Sequence, residues 1–305
     1  MAENIIEVSG FTKQYGDFRA VDDISFAVEE GSVFAFLGPN GAGKSTTINT
    51  LCTILKKTAG SLRINGHDVT DEQDQVRKDI GIVFQESTLD HNLTVAENLK
   101  LHCDFYQVPQ HEVGERIDFV LELVDLADWR KAPVKSLSGG MKRRAEIARG
   151  LVHDPKVLFL DEPTTGLDPQ TRANIWDYIR NLQKRKNITI FLTTHYMDEA
   201  EGCDRVAIID HGTIVAYDTP YQLKKSYTSD TVRIKSTAPE ALGAYLRERA
   251  IQYHLQDGLF TIFSRGLDET LELAARFKTA ITDFEVYKGT LNEVFIAITG
   301  KEIRK

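Results

Sequence analysis

Val33-Phe34-Ala35-Phe36-Leu37 runs straight into Gly38-Pro39-Asn40-Gly41-Ala42-Gly43-Lys44-Ser45, and Ser45 to Leu55 has helical length. An uninterrupted apolar run of this length suits a strand covered on both faces, as in a parallel sheet. The eight residues after it fit GxxxxGK[ST], and a strand before and a helix after are the context that gives that pattern meaning. Glycine lets the backbone curl until successive N–H groups point into one concavity. The N-terminus of the following helix adds donors and a partial positive charge. The segment from Gly38 to Ser45 therefore reads as a phosphate cradle. In it Lys44 reaches the β- and γ-phosphates and Ser45 Oγ ligates Mg2+.

Further along, Val157-Leu158-Phe159-Leu160-Asp161-Glu162 delivers two carboxylates to the end of a second apolar strand. Ligands of open α/β sheets bind at such ends. Asp161 suits Mg2+, and Glu162 suits a general base that orients and polarises an attacking water. Many buried strands end in Asp, so this pair gains its meaning from the phosphate loop. Ser136-Leu137-Ser138-Gly139-Gly140 precedes the helical stretch Met141 to Ala148. Ser138 reads as an N-cap, and two glycines leave backbone N–H groups bare at a helix start. Taken alone this is a capped helix with a glycine-rich lead-in; beside the other two motifs it reads as a second anion site.

The rest of the chain fits an α/β core. Ile5 to Val8, Phe11 to Tyr15 and Ile24 to Val28 read as short strands. From about residue 86 to 150 long β-branched runs disappear. Val113, Ile117, Val120 and Val124 fall on one helical face, so this region reads as a helical insert. Strand and helix then alternate through Ile188 to Thr194 and a hairpin, Arg205 to Asp210 with Thr213 to Tyr217. After about Pro220 the pattern restarts. Thr231 to Ser236, Pro239 to Ala250, Ile251 to Leu255, Leu259 to Ser264, Leu267 to Lys278 and Ile281 to Lys288 spell βαββαβ, the ferredoxin-like order. Leu291, Val294, Phe295 and Ile298 form the stripe of a closing helix.

The composition is that of a folded two-domain chain: 305 residues, 42 % hydrophobic, 27 % charged. Thirty-seven Lys and Arg against 45 Asp and Glu leave a net charge of −8. No nucleic-acid partner is expected at that balance. No run approaches the length of a membrane span, and Met1-Ala2-Glu3-Asn4 lacks the marks of a secretory signal. Cys52, Cys103 and Cys203 are far apart and read as free thiols of a reducing cytosol. His67, His91, His102 and His111 have no metal spacing and read as surface or helix-face residues.

Together these motifs resemble the ATP-binding subunit of ABC transporters over residues 1 to about 220. The resemblance implies a P-loop NTPase core with an antiparallel β subdomain and a helical subdomain (about 86–150). Residues 221–305 would then be a small α+β domain that regulates or stabilises a dimer. It assigns Tyr15 to the adenine ring, and Gly38, Pro39, Asn40, Gly41, Ala42, Gly43, Lys44, Ser45 and Thr46 to Walker A. Gln85, at the end of Ile80-Gly81-Ile82-Val83-Phe84-Gln85, becomes the Q-loop glutamine that meets Mg2+ and the water. Leu137 to Met141, with Ser138, Gly139 and Gly140, becomes the signature. Asp161 and Glu162 form Walker B, Gly166-Leu167-Asp168 the D-loop, and His195 the switch histidine on the γ-phosphate. Without the resemblance, Tyr15 reads as a packing aromatic and His195 as a strand-end histidine.

Met141 departs from the Gln that many members carry, but leaves Ser138 and Gly140 in place. Ser-Gly-Gly-Met, the segment Phe84 to Asp90, the ending Thr290 to Phe295 and the small C-terminal domain resemble the drug-exporter branch, the daunorubicin-resistance type. The resemblance implies a homodimer, or a dimer with a paralogue, closing head to tail over two ATP with Mg2+. It implies a separately encoded membrane permease and a cytoplasmic, peripheral location on the inner face of the membrane. The stretch Gln85 to Leu99, with Leu89, Leu93 and Val95, reads either as a groove for a permease helix or as subdomain core. An importer ATPase, or a soluble ABC ATPase with a non-membrane partner, is the alternative function.

Overall fold

The computed structural model describes residues 3–264 and 266–300. Its contacts divide it into two compact units, the first ending at Thr219 and the second beginning at Pro220. The first unit opens with β1 (Asn4–Tyr15), β2 (Phe18–Glu29), β3 (Val33–Leu37), α1 (Lys44–Leu51), β4 (Ala59–Ile64) and β5 (His67–Asp68). Next come α2 (Gln73–Asp79), β6 (Ile80–Val83), α3 (Val95–Phe105), α4 (Gln110–Leu123) and α5 (Gly139–Leu151). The unit closes with β7 (Val157–Asp161), α6 (Pro169–Lys186), β8 (Thr189–Thr194), α7 (Met197–Ala200), β9 (Arg205–Asp210) and β10 (Thr213–Asp218).

Two sheets share the core of this unit. One is antiparallel, in the order β2-β1-β4-β5; the other has the order β10-β9-β3-β8-β7-β6. In the second sheet β6, β7, β8, β3 and β9 are parallel, and β10 pairs antiparallel with β9. Every residue of β3, β7 and β8 is buried, as the continuous apolar runs require. Phe26 of β2 joins Phe34, Phe36 and Phe191 at centroid separations of 5.5–6.1 Å, so aromatic packing locks the two sheets together. Burying each such ring is worth about 2–3 kcal/mol. The parallel register matters most for function. Leu37 is level with Thr194 and Asp161 with Thr193, so β3, β7 and β8 end on one edge of the sheet.

Several local expectations need correction. Residues 5–8 and 11–15 are one strand, not two, with an irregular register between Val8 and Phe11. Gly10 sits there at φ 60°, and its N–H donates to Ser25 Oγ. The partner strand starts at Phe18 rather than Ile24. Helix α1 stops at Leu51, short of Leu55, and Thr53 turns left-handed at φ 63°. Its hydroxyl accepts from Arg77 Nε, a tertiary contact that holds the chain out of the helix. Leu89 and Val95 are buried and Leu93 is half-buried, so these side chains fill the helical subdomain rather than line a groove. The exposed apolar pair nearby is Leu101 and Phe105, four apart on α3.

The second unit runs α8 (Pro220–Tyr227), β11 (Asp230–Ser236), α9 (Pro239–Glu248), β12 (Tyr253–Gln256), β13 (Leu259–Ser264), α10 (Leu267–Arg276), β14 (Ile281–Tyr287) and α11 (Leu291–Thr299). Its sheet is antiparallel in the order β12-β13-β11-β14. The expected helices 239–250 and 267–278 end earlier, at Glu248 and Arg276, and the strand expected at 251–255 begins at Tyr253. Asp257 and Gly258, both at positive φ, make the tight turn between β12 and β13. Val232, Ile234, Leu242, Leu246, Phe260 and Ile262 form a core of this unit's own.

Candidate functional site

The loop between β3 and α1 is shaped by its glycines. Gly43 has φ 107°, and a Cβ there would meet Ala20 O of β2 at 2.7 Å. A Cβ on Gly38 would meet Ile209 O at 2.3 Å. The loop is pinned from outside as well: Gly212 N donates to Ala42 O at 3.0 Å, and Asp22 N to Gly212 O at 2.8 Å. Gly43 stands at the N-cap of α1, and no side chain caps the first turn. Backbone N–H groups at such a start carry a partial positive charge toward the loop's concavity. Asn40, Gly41 and Ser45 are exposed, whereas Lys44 is only 4 % exposed.

Lys44 Nζ folds back to donate to Gly38 O at 2.8 Å and Pro39 O at 3.1 Å, and lies 3.4 Å from Glu162 Oε1. The same carboxylate oxygen lies 3.2 Å from His195 Nδ1. That nitrogen is buried, and Glu162 is the charged group beside it. Thr165 Oγ1 donates to the other oxygen, Oε2, at 3.1 Å. Burial pushes the Glu162 carboxyl up, but Lys44 and His195 outweigh it and hold the group below its ordinary range. Burial likewise pulls Lys44 down, with Glu162 opposing.

Glu162 itself has φ 45°, an uncommon backbone for a non-glycine residue. Thr193 supports it: Glu162 N lies 3.1 Å from both Thr193 O and Thr193 Oγ1. Thr193 Oγ1 also donates to Asp161 Oδ1 at 2.5 Å. Burial and the neighbouring Glu162 raise the Asp161 carboxyl, while Thr193, Lys44 and Ser45 hold it partly down. Asp161 and Ser45 are hard oxygen donors side by side, the kind of set that suits Mg2+, which takes one or two carboxylates and completes its shell with substrate oxygens. Among the described residues no cluster of three or more His, Cys, Asp or Glu could hold a metal ion by itself.

The other expected residues stand apart from this junction. Gln85 is exposed just beyond β6. Tyr15 ends β1 and is 45 % exposed, with Lys13 Nζ 4.7 Å from its ring centroid. Asp168 caps α6, accepting from Thr171 N at 3.0 Å and Thr171 Oγ1 at 2.6 Å. Ser138 caps α5, accepting from Met141 N at 3.3 Å. Gly140 lies against α6, where a Cβ would come 2.7 Å from Thr171 Cγ2. Among the described residues, no hydrogen bond or ion pair joins Ser138, Gly139 or Gly140 to Lys44 or Glu162.

Sequence reading passed over a supporting ring. Arg143 and Glu146 of α5 are a buried ion pair, 2.9 Å apart, between the end of β6 and the end of β7. Glu199 of α7, 4 % exposed, accepts from the Thr164 hydroxyl and, at 2.5 Å, from Thr194 Oγ1, joining the segment after β7 to the end of β8. A charged pair three residues apart on a helix looks like an ordinary solvated pair in sequence. A carboxylate among threonines gives no local signal either.

The chain is similar to known proteins along most of its length. The ABC transporter family model matches residues 21–165. The daunorubicin/doxorubicin resistance ATP-binding protein DrrA of Streptomyces peucetius is 39 % identical, over 97 % of this chain and 92 % of that protein. The Nod factor export ATP-binding protein I of Ralstonia nicotianae is 36 % identical, over 98 % and 95 %. Among solved structures, cbiO1 from Clostridium perfringens, part of the ABC transporter complex cbiONQ, is 32 % identical with a TM-score of 0.68, over 72 % of this chain and 90 % of that one. A dimeric bacterial ABC transporter cassette is 28 % identical with a TM-score of 0.63, over 70 % and 98 %.

Proposed function

Since the chain belongs to the ABC transporter family, as an ATP-binding ATPase of its drug-exporter branch, we propose that it powers export through a membrane permease by ATP-driven closure and opening of a dimer. No helix among the described residues is long and apolar enough to cross a membrane, and a separately encoded permease is supported by the relatives being ATP-binding proteins of transport systems. The export direction is supported by the Nod factor export relative. Of the drug, lipid and polysaccharide classes of cargo, the drug class is the one supported by the daunorubicin/doxorubicin resistance relative. The proposed location is peripheral, on the cytoplasmic face of the membrane.

The observation that carries the mechanism is the junction at Glu162 Oε1, with Lys44 Nζ at 3.4 Å and His195 Nδ1 at 3.2 Å. In the proposed cycle Lys44 and the bare N-terminus of α1 hold the β- and γ-phosphates. Asp161 and Ser45, with Gln85, would hold Mg2+, which would draw charge off the phosphate oxygens. Glu162 orients and polarises the attacking water, and its depressed pKa keeps it ionised to do so. His195 meets charge on the γ-phosphate, and Tyr15 stacks on adenine. Ser138, Gly139 and Gly140 serve the partner's nucleotide, the partner being a second copy or a paralogue, with Asp168 at the same dimer contact. In support, no hydrogen bond or ion pair among the described residues joins them to the chain's own junction, and a dimeric cassette is among the structural neighbours. Nucleotide shared by two molecules closes the dimer, and its cleavage releases it. Leu101 and Phe105 of α3 offer the apolar contact through which the permease follows that motion.

Glu162→Gln tests this reading. Mg·ATP affinity should stay within about threefold, turnover should fall at least about 100-fold, and a dimer should accumulate in ATP. With the permease in inside-out vesicles, the unsubstituted chain should drive ATP-dependent accumulation of an anthracycline, and the variant should not. Undiminished turnover removes Glu162 as base; hydrolysis with no vesicle uptake removes the export role.

A further inference from the structure

We propose that Arg143 is a positioning residue for ATP hydrolysis, which holds the Glu162 peptide in place and ties it to the segment that follows β6. The inference rests on the reading of Glu162 as general base. Arg143 is 7 % exposed, and each of its three guanidinium nitrogens donates to a main-chain oxygen at or just beyond a strand end. Nε donates to Pro163 O at 2.6 Å and Nη2 to Asp161 O at 3.2 Å, the two residues that bracket Glu162. Nη1 donates to Phe84 O at 2.5 Å, next to Gln85, and to Glu146 Oε2 at 2.9 Å. Glu146 Oε1 in turn accepts from Thr88 N at 3.0 Å. One planar group thus spans the segment after β6, the signature helix α5 and both sides of the proposed base.

The backbone of Glu162 gives this contact its purpose. A non-glycine residue at φ 45° persists only when its surroundings over-determine it. Thr193 supplies the support on the β8 side, through Glu162 N. Arg143 supplies it on the opposite side, through the carbonyls before and after. A guanidinium suits the task because its fork is rigid and always charged, whereas a lysine ammonium is a single point on a flexible stem. A shift of α5 or of residues 84–88 is therefore passed to the Glu162 carboxylate, and small misplacements of a reacting group are costly to rate.

The competing reading is that the ion pair only glues α5 to the sheet. Truncating Arg143 alone would strand the Glu146 carboxylate in the interior. Two variants of the full chain avoid that: Arg143→Lys keeps the charge, and Arg143→Met with Glu146→Gln removes both charges. Each is made with and without Glu162→Gln, and single-turnover hydrolysis of Mg·ATP is measured beside Mg·ATP affinity. With Glu162 present, both variants should hydrolyse about 10- to 100-fold more slowly, with affinity within about threefold. In the Glu162→Gln background the same changes should lower the residual rate by less than about threefold, because a base already removed cannot be misplaced. Arg143→Lys carries the test if the double variant does not fold. Rates within about threefold of the parent overturn the inference, and so does a loss that repeats in full without Glu162. If Glu162→Gln alone hydrolyses like the unsubstituted chain, the base reading itself has failed, an outcome visible before any Arg143 variant is made.

Discussion

His102 and His153 illustrate how local surroundings decide the behaviour of single residues in this protein. Tyr106 stacks on His153 with ring centroids 3.7 Å apart, and His102 packs beside them. His153 Nε2 donates to Ile80 O at 2.9 Å, and its buried Nδ1 has no hydrogen-bond partner among the described residues. Burial holds His102 down at about 3, with Arg149 and His153 adding repulsion, and His153 at about 4. Both folded values lie below the ordinary 6.5, so the unfolded chain binds protons that the folded one refuses. Their contribution should therefore be level between about pH 7 and 8 and fall as pH drops from 6.5 toward 4. The carboxylates held low, such as Glu72 and Glu97, add losses only below about 4.5. The drop between pH 6.5 and 5 should be about 3 kcal/mol for the two histidines together. His102→Gln should roughly halve it in urea melts at each pH; an unchanged slope would assign the acid sensitivity elsewhere. Gly43→Ala makes a second residue-scale case, since its Cβ would press on Ala20 O. That change should cost about 1–3 kcal/mol and weaken Mg·ATP binding at least tenfold, measured by denaturation and titration calorimetry.

Among the elements, α5 carries two separable duties. Its N-cap contact, Ser138 Oγ to Met141 N, is long at 3.3 Å, so Ser138→Ala should cost less than about 1 kcal/mol of stability. If Ser138 serves a partner's nucleotide, the same change should slow turnover at least tenfold while leaving monomer affinity for ATP intact. Turnover falling only in step with stability would reduce Ser138 to a cap. This helix also marks where the sequence stops being readable. The strand–loop–helix around Lys44 and the carboxylate strand were legible because an apolar run, a glycine pattern and a helix follow one another within a short span. The single long β1 was not, because its continuity depends on Gly10 bonding Ser25 across the hairpin. Arg143 and Glu146 were not either, because their burial is decided by β6 and β7, which lie far off in the chain.

For the molecule as a whole, the two units have separate cores. Phe11, Phe34, Ile48 and Phe159 belong to one, and Val232, Leu246 and Phe260 to the other. Every residue of the Lys44–Glu162–His195 junction precedes Thr219. A chain ending at Thr219 should therefore fold and bind Mg·ATP within about threefold of the full protein. In calorimetry of the full chain, Mg·ATP should raise the transition of the first unit and leave a second one in place. Loss of binding on truncation would instead make residues 220–300 part of the nucleotide site.

The oxygens that receive Arg143 from Phe84, Asp161 and Pro163 all belong to the main chain. An arginine that reads peptide groups is indifferent to what those positions display. Alanine scanning of Phe84 or Pro163 would keep every one of those oxygens and so should leave the grip in place. The tie is written in two side chains, Arg143 and the Glu146 that holds it, and substitution elsewhere along those strand ends passes it by.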